Sequence, residues 1–423
     1  MPGHKGTHLI GVEHLDITEI NGADSLYEAS GIIAESEKNA SAIFGCATYY
    51  STEGSSQCIK AMMHLVVLCA RKRGKKPFVW ALRNAHKAFH SAIGLLDIDI
   101  EWICPSKMDN YLSCKMGADE LSELLERADK KPTALYVTTP DYLGNTLDVG
   151  AIADVCHKNG VLLVVDNAHG AYLKFLPESK HPMDLGADVC CDSAHKTLPV
   201  LTGGAYLHLS DGLLKESSCN VKSSMELFGS TSPSYLILQS LDMANVYLES
   251  YGNALAGFIP KVDKLKAALT ECGYVLYGNE ELKITICAKE YGYYGYELAD
   301  TLKNEGVICE FADRDFVVLM LTPELESNLM TLEKALLSIP KREAIAEKAP
   351  SFKMARRAIS VREAMLSPFE SLPISECLGR VASLSSVGCP PAVPIVVSGE
   401  IIDEEAIKCF EYYGIDKCNV VCK

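Results

Sequence analysis

The sequence predicts an α/β protein: a large domain with a mostly parallel sheet sandwiched by helices, then a smaller α+β region. Three observations carry this. Between about residues 40 and 210, short apolar runs rich in β-branched residues alternate with helical stretches. The hydrophobicity of those runs is nearly continuous, as expected of parallel strands buried on both faces. With 423 residues, 48% of them hydrophobic and 22% charged, the chain can bury a large core, divided into roughly two to three domains.

Six runs read as strands: FVWALR (78–83), IEWICP (100–105), TALYVTTP (133–140), VLLVVDNAH (161–169), ADVCCDS (187–193) and GGAYLHLS (203–210). Residues 149–159 read as a helix, with Val149, Ile152, Ala153 and Cys156 on its apolar face and Gly160 as its stop. After about residue 255 the pattern changes to a helix (KVDKLKAALTECG), a strand (LKITICA), a helix (YELADTLKNEG), two short strands (VICEF, FVVLMLT) and a helix over 325–338. A third segment follows the charged stretch KREAIAEKAP and ends in the proline-rich GCPPAVPIVVSGE and a short helix. The expected division is an N-terminal segment 1–25, a large domain 26–254, and a C-terminal region 255–423 with a sub-boundary near 350.

Lysine plus arginine number 40 against 55 aspartates and glutamates, a net charge of −15 that disfavours a nucleic-acid or anionic-membrane partner. Seventeen cysteines without a signal peptide fit a reducing cytoplasm better than a disulfide framework. The neighbours Cys190 and Cys191 and the tail residues Cys409, Cys418 and Cys422 lack a CxxC or HxxxH partner, so no metal site is expected. The longest apolar runs, such as MMHLVVLCA, are too short to cross a bilayer.

Ligands of open parallel sheets bind at the carboxyl ends of the strands, which directs attention to polar residues ending an apolar run. Asp166 ends VLLVV, where an ordinary turn residue would also fit. Lys196 follows ADVCCDS in SAHKT; a lysine there is either solvated or, if buried, a depressed-pKa nucleophile able to form an imine. Pyridoxal phosphate needs both, an amine for its aldehyde and a carboxylate that keeps its ring nitrogen protonated. EGSSQ (53–57), directly before a helical run, offers a phosphate cradle of Ser55, Ser56 and a helix N-terminus, although serine also serves as a plain N-cap. His86 in RNAHKA could stack on one face of the ring and Ala168 in DNAHG lie under the other.

These motifs resemble the Orn/Lys/Arg decarboxylases, pyridoxal-phosphate enzymes of the aspartate-aminotransferase-like fold (fold type I). The resemblance runs from MPGHKG through HLDITEINGADSL, AIFGCA, RNAHKA, TTPDYLG, VVDNAHGAYLKF, DSAHKTL and STSPSYLILQSLD to SGE at 398–400, nearly the whole chain. It implies that Lys196 is the imine-forming lysine, Asp166 the ring-nitrogen partner and His86 the stacking residue. It implies further that Ser55, Ser56, Ser193 and His195 lie on the phosphate side, with His169 of DNAHG also at the cofactor. Ser230 and Thr231 of STSPSY would reach the phosphate of a neighbouring subunit, which implies a homodimer with shared sites, open to higher oligomers.

The resemblance implies decarboxylation of a basic L-amino acid to a diamine or agmatine. Lys196 or His195 would return the proton, and Glu400 would accept the side-chain cation. Four departures touch the pocket: Asn167 replaces an acid, Gly203 a glutamine, GCPPAVP lacks the usual aromatic residue and glycine, and Ser398 replaces a proline. Aminotransferase, aldolase or other lyase chemistry, or a silent cofactor-binding paralogue, stay open as alternatives. The start at PGHK suggests a short family member or a start-site truncation.

Overall fold

The structure, a computed structural model, describes residues 2–105, 108, 110–217, 221–384 and 391–422. Seven strands form the main sheet: β1 (Ala47–Ser51), β2 (Phe78–Leu82), β3 (Asp99–Ile103), β4 (Ala134–Thr138), β5 (Leu162–Asp166), β6 (Val189–Asp192) and β7 (Ala205–Leu209). Their order is β1-β7-β6-β5-β4-β2-β3. Strands β3, β2, β4, β5 and β6 are parallel to one another, and β7 runs antiparallel to both β6 and β1.

The helices of this part are α1 (Ile32–Phe44), α2 (Gly54–Lys72), α3 (Lys87–Leu96), α4 (Ala118–Arg127), α5 (Val149–Lys158), the one-turn α6 (Ala194–Thr197), α7 (Asp211–Ser217), α8 (Val221–Glu226) and α9 (Tyr235–Glu271). The period-2 alternation of the strands sorts the core into two layers. Tyr136, Val164 and Cys191 pack with residues of α2 and α3, whereas Leu135, Val137, Leu163, Val165 and Cys190 pack with α4 and α5. With both faces covered, each large aliphatic side chain contributes about 1.5–3 kcal/mol of burial, which explains the continuous apolar runs.

Beyond α9, β8 (Leu276–Tyr277), β9 (Lys283–Cys287), β10 (Phe311–Ala312) and β11 (Phe316–Met320) form an antiparallel sheet in the order β10-β11-β9-β8, accompanied by α10 (Gly295–Asn304) and α11 (Leu329–Ser338). The last segment holds α12 (Val361–Leu366), β12 (Phe369–Pro373), α13 (Glu404–Tyr412) and β13 (Lys417–Val421), with β12 and β13 paired antiparallel.

All six expected strands of the large domain form. GGAYLHLS alone runs antiparallel, because its connection to β6 holds only the one-turn α6, too little for a parallel crossover. Strand β1 was not among the expected strands. Of VICEF only Phe311 enters a strand. The helix expected at KVDKLKAALTECG begins far earlier, at Tyr235, and passes through Pro260, a residue that ordinarily marks a helix end. The division expected at 254/255 therefore falls inside one continuous helix. The proline-rich motif lies partly outside the described residues, at Gly388, Cys389 and Pro390. Cys190, Cys191, Cys409, Cys418 and Cys422 are free thiols, and among the described residues no helix is long and apolar enough to cross a membrane.

Candidate active site

The strand ends of the parallel sheet converge on a cleft of about 230 Å³ lined by Ser55, Ser56, Asn84, His86, Thr138, Tyr142, Asp166, Ala168, His169, Ser193, His195, Lys196 and Glu310, among others. Thr138 and Asp166 are the last residues of adjacent strands and lie directly opposite each other. Lys196 sits in α6, immediately beyond β6. The fold thus brings together residues more than a hundred positions apart in sequence.

Asp166 is 2% exposed. Its Oδ2 accepts a hydrogen bond from the Tyr136 hydroxyl at 3.0 Å and its Oδ1 one from the Ala168 N–H at 3.2 Å. Burial pushes its carboxyl up, opposed by the Tyr136 hydroxyl and the charge of Lys196. The Lys196 Nζ lies 2.9 Å from His169 Nε2. Burial and the neighbouring Lys196 charge hold His169 well below the ordinary imidazole range, so it is neutral and Nε2 accepts from the amine.

His86 is the N-cap of α3, and its Nδ1 accepts from the Ala88 N–H at 3.1 Å. That bond fixes the neutral ring's proton on Nε2. Burial, with the charges of Lys196 and Lys87, lowers His86 to about 4. The His195 Nδ1 lies 3.0 Å from the Gly204 carbonyl oxygen, which can only accept, so Nδ1 carries the proton and Nε2 is the acceptor. Burial lowers its pKa as well.

At the other end of the cleft the Ser193 hydroxyl donates to Ser55 at 2.8 Å. Ser55 and Ser56 lie inside the first turn of α2, whose N-cap is Glu53 with no side-chain capping bond, so the plain capping role considered for these serines is not the one they take. Their hydroxyls and the helix N-terminus form one donor-rich corner. Gly54 enters the helix at φ 70° and its N–H donates to the Gly203 carbonyl at 2.8 Å. Gly203 has φ 99°, and a Cβ there would lie 2.9 Å from the Thr52 carbonyl oxygen, which accounts for glycine at this position.

The residues fit a pyridoxal phosphate. Three buried polar atoms on cleft residues, His169 Nδ1, Asn84 Oδ1 and Thr138 Oγ1, have no hydrogen-bond partner, an arrangement expected where a polar ligand is to bind. Lysine, carboxylate, neutral imidazoles and a serine-lined helix N-terminus are the donor set such a cofactor needs.

Of the expected site residues, Lys196, Asp166, His86, His195, Ser55, Ser56, Ala168, His169 and Ser193 all line this cleft. Ser230 and Thr231 do not; they are exposed just ahead of α9. Glu400 is corrected. It is 2% exposed, absent from the cleft lining, and its Oε2 lies 3.4 Å from Arg83 and accepts from the Val397 N–H at 2.9 Å. Arg83, buried at the end of β2, needs an internal counter-charge, and Glu400 supplies it. The structure brings in Glu310 instead, which accepts from the Tyr142 hydroxyl at 3.0 Å. Nothing in VICEF marked it, because its neighbours in the cleft come from distant parts of the chain. Asn167, where an acid is usual, donates to Asp192 Oδ1 at 2.6 Å; an acid there would set two buried carboxylates against each other.

Fold and cleft together define a pyridoxal-phosphate enzyme of fold type I. The Orn/Lys/Arg decarboxylase major-domain model matches residues 11–280, and the C-terminal-domain model of the same family matches residues 341–416. The chain belongs to the Orn/Lys/Arg decarboxylase family and is a pyridoxal-phosphate-dependent decarboxylase.

It is 30% identical to the arginine decarboxylase of Halalkalibacterium halodurans, over 92% of this chain and 82% of that one. Against the arginine decarboxylase of Bacillus subtilis the figures are 29%, 93% and 83%. Among solved structures, it is similar to lysine decarboxylase A from Pseudomonas aeruginosa, with a TM-score of 0.76, 16% identity and coverage of 94% of this chain and 69% of that one. The constitutive lysine decarboxylase of E. coli gives the same TM-score, 0.76, at 15% identity, with 99% and 77% covered.

Proposed function

We propose that the enzyme decarboxylates a basic L-amino acid, lysine, arginine or ornithine, to the corresponding diamine or agmatine, with Lys196 as the cofactor-bearing amine. The observation that carries this reading is the charge of the cleft: Glu310 and Asp166 are its acidic lining residues, and Asp166 is withdrawn at the end of β5. Glu310 is therefore placed to accept a side-chain ammonium or guanidinium, the role first assigned to Glu400. The arginine and lysine decarboxylases named above support the same substrate class.

Bound pyridoxal phosphate supplies an aldehyde that holds the amino acid and a cationic ring that takes up the electron pair left as carbon dioxide departs. Asp166 holds the proton on the ring nitrogen, and Tyr136 keeps its carboxylate in place. His86, neutral and fixed by its capping bond, covers one ring face, and Ala168 leaves room on the other. Ser55, Ser56, Ser193 and the start of α2 hold the phosphate, whose negative charge favours a proton on His195 Nε2. His169, neutral, accepts a hydrogen bond from the Lys196 amine and so orients it toward the α-carbon, to which Lys196 would return the proton. These groups, apart from Glu310, all come from the part of the chain ahead of α9.

The working unit in this reading is a homodimer, in which Ser230 and Thr231 serve the partner's phosphate. Their exposure outside their own cleft supports it, as do Leu9 and Ile10, which are 84% and 79% exposed near the N-terminus. Incubating purified enzyme with lysine, arginine and ornithine, and scoring carbon dioxide against keto acid, tests the proposal. Carbon dioxide from at least one is expected; keto acid alone would favour an aminotransferase, and neither product a silent paralogue.

A further inference from the structure

A second polar cluster lies behind the cleft, on the other face of β6. Cys191 points toward Asp166, so Cys190 and Asp192, its neighbours in the strand, project the opposite way. His208 on β7 is directly opposite Cys190 in the ladder, and His181 reaches the same point from the segment before β6. One donor atom from each of His181, Cys190, Asp192 and His208 lies within 4.8 Å of all the others, and all four residues are 0% exposed.

Asp192 is the anomaly. Its Oδ2 lies 3.1 Å from both His181 Nε2 and His208 Nε2, and its Oδ1 accepts from Asn167. Among the described residues no lysine or arginine forms an ion pair with it, so two imidazoles and one amide are what offset a carboxylate withdrawn from water. Two imidazoles converging on one carboxylate oxygen, with a thiol beside them, form the donor set of a divalent transition metal. A dication bound to one thiolate, one carboxylate and two neutral imidazoles leaves the site uncharged.

The surroundings of His208 agree. The His208 Nδ1 lies 2.9 Å from the Thr48 hydroxyl, which orients the ring with Nε2 inward. His181 is the less prepared ligand: its Nδ1 accepts from the Met183 N–H at 3.4 Å, which leaves the ring proton on Nε2 toward Asp192, so ligation through Nε2 gives up that long, weak bond and moves the proton to Nδ1. Spacing hid the set, since the four positions form no CxxC or HxxxH pattern.

We propose that His181, Cys190, Asp192 and His208 form a closed, structural site for a zinc-type dication, tying β6, β7 and the 181 segment together behind Lys196. Four protein ligands leave no open position, so the ion does no chemistry on substrate. On binding, the Cys190 thiol gives its proton to solvent as the sulfur–metal bond forms, and each imidazole ligates through Nε2 with its proton on Nδ1.

The test is the metal content of intact enzyme produced in zinc-supplemented and in cobalt-supplemented medium, then desalted without chelator. One ion per chain is expected. The cobalt enzyme should show four-coordinate d–d bands at wavelengths beyond the cofactor's absorption, and X-ray absorption at the zinc edge should show one sulfur among nitrogen and oxygen ligands. C190S should lose the sulfur scatterer, and D192N the stoichiometric ion. Folded enzyme with far less than one ion per chain from both media would overturn the proposal and leave a hydrogen-bonded His–Asp–His cluster. A sulfur scatterer that persists in C190S would overturn it as well. Because the first result needs no variant, poor folding of a variant leaves the test intact.

Discussion

The Tyr136 hydroxyl reaches across from β4 to donate to Asp166 Oδ2 at 3.0 Å, and the Tyr136 ring is itself stacked on Phe89 at a centroid distance of 3.9 Å. One aromatic side chain thus links the α3 layer of the core to the carboxylate at the end of β5. The Phe89 contact survives in Tyr136→Phe, whereas a hydrogen bond to a charged group is lost, worth about 1.5–3 kcal/mol. Catalytic efficiency should fall about 10- to 100-fold, and the buried carboxylate left short of one donor should lower the melting temperature by a few degrees as well. Steady-state kinetics beside thermal unfolding checks this; unchanged kinetics would remove Tyr136 from the mechanism.

Borohydride treatment of the cofactor-loaded enzyme should abolish the visible imine band and leave a mass-labelled peptide containing Lys196. Lys196→Ala should show no such band and no decarboxylation. A label on any other lysine would refute the site assignment.

Glu310 and Glu400 should separate cleanly. Glu310→Gln removes a charged acceptor from the cleft rim, so KM for basic amino acids should rise about 10-fold or more while the fold is untouched. Glu400→Gln leaves Arg83 buried without its counter-charge, a loss on the order of 3–5 kcal/mol in stability. Michaelis constants and chemical denaturation, measured on both variants, read the two effects independently.

A shared active site predicts complementation. Lys196→Ala and the double variant Ser230→Ala, Thr231→Ala should each be severely impaired alone. After mixing, dissociation and reassociation, activity should return, because every heterodimer carries one site with neither defect. No recovery from subunits shown to have exchanged would confine Ser230 and Thr231 to their own chain.

His90 makes the fold acid-sensitive. Its ring is 2% exposed and stacked on Trp102, and burial with the nearby Arg83 charge lowers it to about 3. The unfolded chain binds this proton near pH 6.5 and the folded chain only near 3, so the neutral ring's contribution is complete above 6.5. It drains by about 1.4 kcal/mol per pH unit as acid is added through that window. His90→Phe should flatten the unfolding free energy between pH 6.5 and 4; an unaltered slope would clear His90 of the effect.

The strands of the large domain were legible because burial on both faces writes a continuous apolar run, and α5 because its apolar spacing ends at Gly160. Lys196 and Asp166 were legible from their place just beyond such runs. Helix α9 was not, since Pro260 interrupts the local signal while packing along the helix, from Leu238 to Leu269, carries it through. Glu310 was hidden for another reason: an acid between short C-terminal strands has no distinguishing neighbour in sequence, and only the fold sets it beside Tyr142.

The sequence by itself determined the α/β class, the strands whose ends border the cleft, and the lysine and aspartate that line it, because local periodicity and residue chemistry are written in neighbouring positions. The tertiary structure alone decided which glutamate faces the cleft and which is absorbed by Arg83, and which imidazole touches Lys196. It also decided that Asn167 answers Asp192. These are contacts between residues far apart in the chain, whose distances are set by packing that no local pattern encodes.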